Sequence, residues 1–363
     1  MNSCNGMRSR AASVLVFGLV LAGTSAAAAA AREGLPVRVE YHQPTDVFNV
    51  LDNLSDWLPG YTAAAYGRYW KTHVGVNAID RAALDAYAAF RQRTAPAARS
   101  AQPDAAPAPD LFAPPLTHDV DALAQAFFEA RDFQSGVRAA LAAQAAHDRA
   151  MLRDYYARFG PRAVCLLAVQ SRFDMQRTAL VSQLALAGVP KLAHDIRTFY
   201  GVDAAPTFIA RFVSWPDAGR TQAKVRGRII ILQGQADGAT AEAPMDWAPI
   251  VLHEYAHHVS AGQPSAQRLR ASAAFLQGCP GAATLPNPLN AFEEPLAIYW
   301  GQARFEHEVR GRALPADQAW YFKPMPDRIA KAIAAAFPSG QPPPSLDDAK
   351  LLRVASSECS RQP

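Results

Sequence analysis

The ten residues Val-Leu-His-Glu-Tyr-Ala-His-His-Val-Ser, 251–260, constrain the chain more tightly than any other stretch. Their spacing His253-Glu254-x-x-His257 is expected by chance roughly 0.006 times in a chain of this length and composition. The surroundings specify a helix. Asp246 is placed to cap it, Pro249 falls in a first turn that has no amide bond to lose, Met245 can staple onto Ile250, and Gly262 is a natural stop. On that helix His253 and His257 stand one turn apart on the same face and can direct two imidazole nitrogens at one ion. Leu252, Tyr255, Ala256 and Val259 are left to fill the core side. Glu254 lies about 100° around from His253, beside such an ion rather than on it, where its carboxylate can take a proton from an activated water.

Half of the residues are apolar and 19% are charged, which fits a globular protein of one large domain or two small ones. The net charge of +4 is spread over scattered Lys and Arg, so nucleic acid is not an expected partner. Residues 1–31 read as a secretory signal peptide. Arg8 and Arg10 precede an apolar run of about a dozen residues, and an Ala-rich stretch offers cleavage sites. That run is shorter than the roughly 20 residues a bilayer requires, so no stable membrane anchor is expected after cleavage, and the protein is expected to be exported, periplasmic or secreted. Loss of Cys4 with the signal would leave Cys165, Cys279 and Cys359. Cys165 sits in an apolar run that reads as a buried strand, whereas Cys279 and Cys359 have loop-like surroundings and form the preferred pair.

Residues 32–93 carry two amphipathic helical patterns, one with Val47, Val50, Leu51, Leu54 and Leu58 on one face and one behind an Asp80 cap, and read as an N-terminal helical unit with Trp57 and Trp70 in its core. Ala and Pro dominate 94–116, a linker or loop. The rest, 117–363, reads as the catalytic domain: helices to about Tyr200, interrupted by a strand around Ala163–Val169, then two strands in 206–233 rich in Ile, Val and Phe. "PDAGRTQAK" between those strands suits an antiparallel connection. Strands followed by helices indicate an α+β fold with a small antiparallel sheet.

With the motif on a helix, the sequence resembles the zincin metallopeptidases. The metzincin extension is absent, because Ser260 and Gln263 stand where that branch has Gly and His. "NAFEEPLAIYW", with Glu294 three residues before Ala297, resembles the Glu-x-x-Ala segment of the gluzincin branch, which takes its third zinc ligand from a later helix. The likeness covers roughly 206–312 and implies one Zn2+ per chain on His253, His257 and Glu294, with Glu254 as general base and a peptide or protein as substrate. Glu293 competes with Glu294 for the ligand role, although Asn290 and Glu293 have capping-box spacing that would turn Glu293 back toward the helix start. Zincins lay an extended substrate along an edge strand ahead of the motif helix, and "GRIIIL", 227–232, resembles that edge. The segment by which the aminopeptidase group reads a free amino terminus is missing, which favours endopeptidase action without deciding it.

Tyr299, His307 and Tyr321 follow Glu294, where a donor to a developing oxyanion would be useful, Tyr321 first among them; packing or solvent contact is the plainer role for each. His258 points about 100° away from His257 and suits a supporting or surface position. Asp203, Asp237 and Asp246 read as turn or cap residues. The expected protein is an exported zinc-dependent hydrolase of gluzincin type. The alternative is a non-catalytic cell-envelope protein that keeps the same scaffold to bind a peptide, against which Glu254 speaks.

Overall fold

The strand Phe208–Trp215 shows how the chain is layered. Phe208, Ala210 and Phe212 point to one side and pack with the motif helix, while Ile209, Val213 and Trp215 point to the other and pack with the N-terminal helices. A strand apolar on both faces can be satisfied only between two layers. The structure is a computed structural model that describes residues 35–59, 62–95, 121–167, 173–203, 207–216, 222–235, 246–285, 289–338 and 340–360. Segment 1–31, nearly all of 94–116, and the residues Asp237 and Met245 lie outside them.

The elements are β1 (Val37–Tyr41), α1 (Gln43–Leu54), α2 (Ala64–His73), α3 (Ala78–Thr94), α4 (Ala122–Phe128), α5 (Phe133–Ala142), α6 (Ala146–Leu166), α7 (Asp174–Leu184) and α8 (Val189–Tyr200). They continue with β2 (Phe208–Trp215), β3 (Gln222–Arg226), β4 (Ile229–Gln235), α9 (Ala248–Ser260) and α10 (Ser265–Gly278). Last come α11 (Leu289–Ile298), a π-helical turn (Tyr299–Arg304), α12 (Phe305–Glu308), α13 (Pro324–Ala336) and α14 (Ala349–Ser360). The fold is α+β, mostly helical around one four-stranded sheet, and Gly34–Pro363 forms one compact unit. Among the described residues no helix is long and apolar enough to cross a membrane.

The sheet corrects three expectations. Its order is β1-β2-β4-β3, with β1, β2 and β4 parallel and only β3 antiparallel, so it is mixed rather than antiparallel. "QAKVR" is itself a strand, and it returns to β4 through a tight turn in which Gly227 takes φ 59°, a conformation costly to any residue with a Cβ. As a result "GRIIIL" does not lie at an edge: β4 is paired on both sides, and β3 is the edge nearest the motif helix. The sequence also gave no sign of β1, so segment 32–93 supplies a strand as well as helices.

Helices α1 to α6 cover one face of the sheet. Trp57, Trp70, Tyr87, Tyr155 and Phe159 are buried there, as expected for the two tryptophans, and each large ring removed from water contributes on the order of 2–3 kcal/mol. Polar bonds fix the register of this layer. The buried Asp46 carboxylate of α1 accepts from Ser214 N at 2.7 Å and Ser214 Oγ at 3.0 Å. Arg91 of α3 is paired with Asp52 at 2.8 Å and Asp121 at 2.7 Å. The α3 cap is Asn77, which accepts from Asp80 N, so Asp80 is the third helical residue of a capping box rather than the cap. Ala163 to Leu166 continue α6; the strand expected there is helix, and Cys165 is exposed rather than buried. The opposite face of the sheet carries α8 to α11 with α13 and α14, and the Cys279–Cys359 disulfide ties the end of α10 to α14.

Candidate metal centre

The motif helix is held from outside its own sequence. Asp246 does not cap α9; it pairs with Arg310. The amides of Trp247 and Ala248 instead donate to Gln183 Oε1 of α7, at 3.0 and 3.1 Å, and Trp247 Nε1 donates to Gln176 Oε1, also at 3.0 Å. One glutamine thus satisfies two of the amides that a helix start leaves unpaired, the work a cap residue would do. Leu252, Tyr255, Ala256 and Val259 pack into the core as expected, joined by Val251, which fixes the rotation of α9 and presents His253 and His257 together.

The two imidazoles meet through their Nε2 atoms at 3.2 Å. The Glu294 carboxylate joins them, one oxygen 3.2 Å from His253 Nε2 and the other 3.5 Å from His257 Nε2. These three residues form a group that could hold a metal ion. The donor set suits zinc, and so do the distances. Ligands about 2.05 Å from a tetrahedral centre stand about 3.3 Å from one another, which the three separations bracket. His257 presents its other nitrogen to Glu293, with Nδ1 to Oε1 at 3.0 Å, and Ser260 Oγ donates to the same oxygen. Glu293 is therefore not turned back as a helix cap. It fixes the orientation of a ligand imidazole, and with Nδ1 held there Nε2 is the nitrogen turned to Glu294, where a proton or a metal ion would sit. Adjacent glutamates on α11 thus divide the work: Glu294 faces the common point and Glu293 stands behind it.

Burial and charge act on each group differently. Burial opposes the Glu294 charge, but hydrogen bonds and attraction from His253 and His257 outweigh it and hold the carboxyl well below its ordinary range. Burial would also lower His257; Glu293 and Glu294 overcome it and raise the imidazole well above its usual value. A centre with this much negative charge needs a cation between its nitrogens, and a proton or a metal ion can serve. Glu254, only 9% exposed, is pushed up by burial and partly restrained by the two imidazoles. A carboxylate raised in this way is a better proton acceptor than one in water.

Two features close the site, and the sequence pointed to only one of them. The Tyr321 ring stacks on His253 with centroids 6.3 Å apart, and burial together with its hydrogen bond to Glu294 raises its hydroxyl above the ordinary range. Its backbone is anchored by Asp327, which accepts from Trp320 N at 2.6 Å and Tyr321 N at 2.9 Å. The other feature is Gly301 in the π-helical turn that continues α11. A Cβ at that position would stand 2.2 Å from His253 N and 2.5 Å from its Cα. The backbone of one element thus lies directly against the backbone of a ligand. Only a glycine permits that approach, and a widened turn is a common way to re-aim a helix at a site.

The remaining candidates lie elsewhere. Tyr299 is buried in the core, donates to Phe337 O at 3.3 Å and accepts from Arg304. His307 is exposed. His258 packs its ring 5.4 Å from Phe208 of β2. Comparison of the chain with protein-family models, with curated proteins and with solved structures finds no match.

Proposed function

We propose that the protein is an exported zinc-dependent hydrolase of gluzincin type that cleaves peptide bonds. The observation that carries this reading is the convergence of His253 Nε2, His257 Nε2 and the Glu294 carboxylate within 3.5 Å of one another, with buried Glu254 one residue from the first ligand. His253, His257 and Glu294 would hold the zinc, which supplies a Lewis acid for the scissile carbonyl and acidifies an attacking water. Glu254 accepts the proton of that water and returns it to the departing amine. Glu293 and Tyr321 keep the ligands in place. A structural metal site needs no general base, which favours an enzyme over the binding-protein alternative. The antiparallel edge strand β3 beside the motif helix supports the zincin likeness, and the Cys279–Cys359 disulfide supports an oxidising compartment.

The test is Glu254→Gln, assayed with a broad peptide library beside the unaltered protein. The substitution removes a base and no ligand, so zinc content stays the same and turnover falls by about 100-fold or more. Equal turnover by the two proteins would remove Glu254 from the mechanism.

A further inference from the structure

Among the described residues, Phe322 is the large apolar side chain most exposed to water, at 68%. Single exposed apolar residues are ordinary on a protein surface, and Ile79, Met175, Val181 and Leu269 are of that kind, spread over helices α3, α7 and α10. Phe322 differs in where it stands and how it is held. Its ring lies 4.5 Å, centroid to centroid, from that of Tyr321, and Tyr321 in turn stacks on His253 and bonds Glu294. Phe322 is thus one ring outward from two of the three candidate ligands. The scissile bond of a substrate must lie at the metal, so a ring this near meets a side chain within a residue or two of that bond.

The backbone beneath Phe322 is fixed on both sides. Asp327, paired with Lys331 at 2.7 Å, holds the amides of Trp320 and Tyr321, and α13 begins two residues after Phe322, at Pro324. An aromatic ring rooted on an anchored backbone has little freedom left to lose, so an apolar group that covers it gains the burial at small ordering cost. Lys323 places its ammonium over the same ring, 5.5 Å from the centroid, and a second cation brought there would be repelled. We propose that Phe322 is a specificity residue: it takes an aromatic or branched aliphatic side chain of the substrate at one position beside the scissile bond, and Lys323 turns lysine and arginine away from that position. This rests on the peptidase reading and names the substrate class that reading leaves open.

The experiment uses blocked alanine-rich peptides that carry a single Phe, Leu or Lys, beside the all-alanine parent. Kd is measured by fluorescence anisotropy on the zinc-loaded Glu254→Gln protein, and the cut sites are mapped by mass spectrometry on the unaltered protein. Phe and Leu should tighten binding about tenfold over alanine, and Lys should not tighten it. Adding Phe322→Ala should remove most of the gain, Phe322→Trp should keep it, and Lys323→Gln should improve binding of the Lys peptide. On the unaltered protein the cut should follow Phe along the peptide at a fixed offset. Zinc content of Phe322→Ala should equal that of the parent, since the exposed ring touches no ligand directly; loss of zinc would place Phe322 in the support of the metal centre and overturn the subsite. Equal Kd for Phe, Ala and Lys peptides, binding of none of them, a gain that survives Phe322→Ala, or cuts unrelated to the position of Phe would overturn it as well. Failure of the peptidase reading would show separately, as no cleavage of any peptide while Phe still tightens binding through Phe322.

Discussion

Gly301→Ala adds one methyl group where the structure has no room for it. The new Cβ would lie 2.2, 2.5 and 2.7 Å from the N, Cα and Cβ of His253, against an ordinary carbon contact of about 3.5–4.0 Å. The obstacle is backbone in the middle of a packed helix, which cannot swing aside like a side-chain tip. The π-helical turn and α9 must part by about 1 Å. Overpacking of this kind costs about 1–3 kcal/mol, offset by the about 0.5–1 kcal/mol that Ala gains over Gly in a helix; with backbone as the obstacle the cost falls at the upper end of its range, for a net loss of about 2 kcal/mol. The same displacement moves His253 by several times the about 0.2 Å that a metal site tolerates, so zinc affinity should fall at least about tenfold. Urea unfolding of the chelator-stripped protein measures the first effect, and zinc titration against a competing chromophoric chelator measures the second. A Gly301→Ala protein as stable as its parent, with unchanged zinc affinity, would refute the close approach and the role given to the π-helical turn.

Glu294→Ala should lose nearly all zinc affinity, whereas Glu293→Gln should keep the site and lose about 10–100-fold, because only the orienting acceptor of His257 changes; the reverse order in the same titration would exchange their roles. Acid stability offers a test away from the metal. Burial raises the Asp121 carboxyl, but Arg91 outweighs it and the net shift is downward, so the folded value lies below the unfolded value of about 3.9. The stability from this pair is therefore complete above about pH 3.9 and is lost as pH falls through the lower folded value. The stability difference between the metal-free parent and Asp121→Asn should shrink over that acidic window, and a difference constant with pH would count against the pair.

The helix carrying His253, Glu254 and His257 was legible because its apolar period and its motif agree residue by residue, and the structure brings Glu294 to the two imidazoles as the resemblance to the gluzincin segment implied. The cap was misread for a physical reason. Asp246 occupies the right position, yet Gln183, some sixty residues earlier, reaches the amides first, and no local pattern announces a remote side chain. Strand pairing failed similarly. Richness in Ile, Val and Phe identifies β2 and β4 as strands, but both are apolar on two faces and carry no mark of which neighbour each will take. β3, with Lys224 and Arg226 on one face, resembles a polar connection until its pairing with β4 is seen. Adjacent glutamates have no direction in a sequence, so the division between Glu293 and Glu294 had to come from the rotation of α11. Gly301 gave no signal at all, since a lone glycine in an apolar run is silent about what lies against it.

The most direct test of the central claim is the metal content of the purified protein after zinc reconstitution and removal of excess metal. The account predicts about one zinc per chain, falling to near zero in both His257→Ala and Glu294→Ala and unchanged in Glu254→Gln. A parent protein that retains no zinc, or a His257→Ala protein that still holds one zinc per chain, would contradict it.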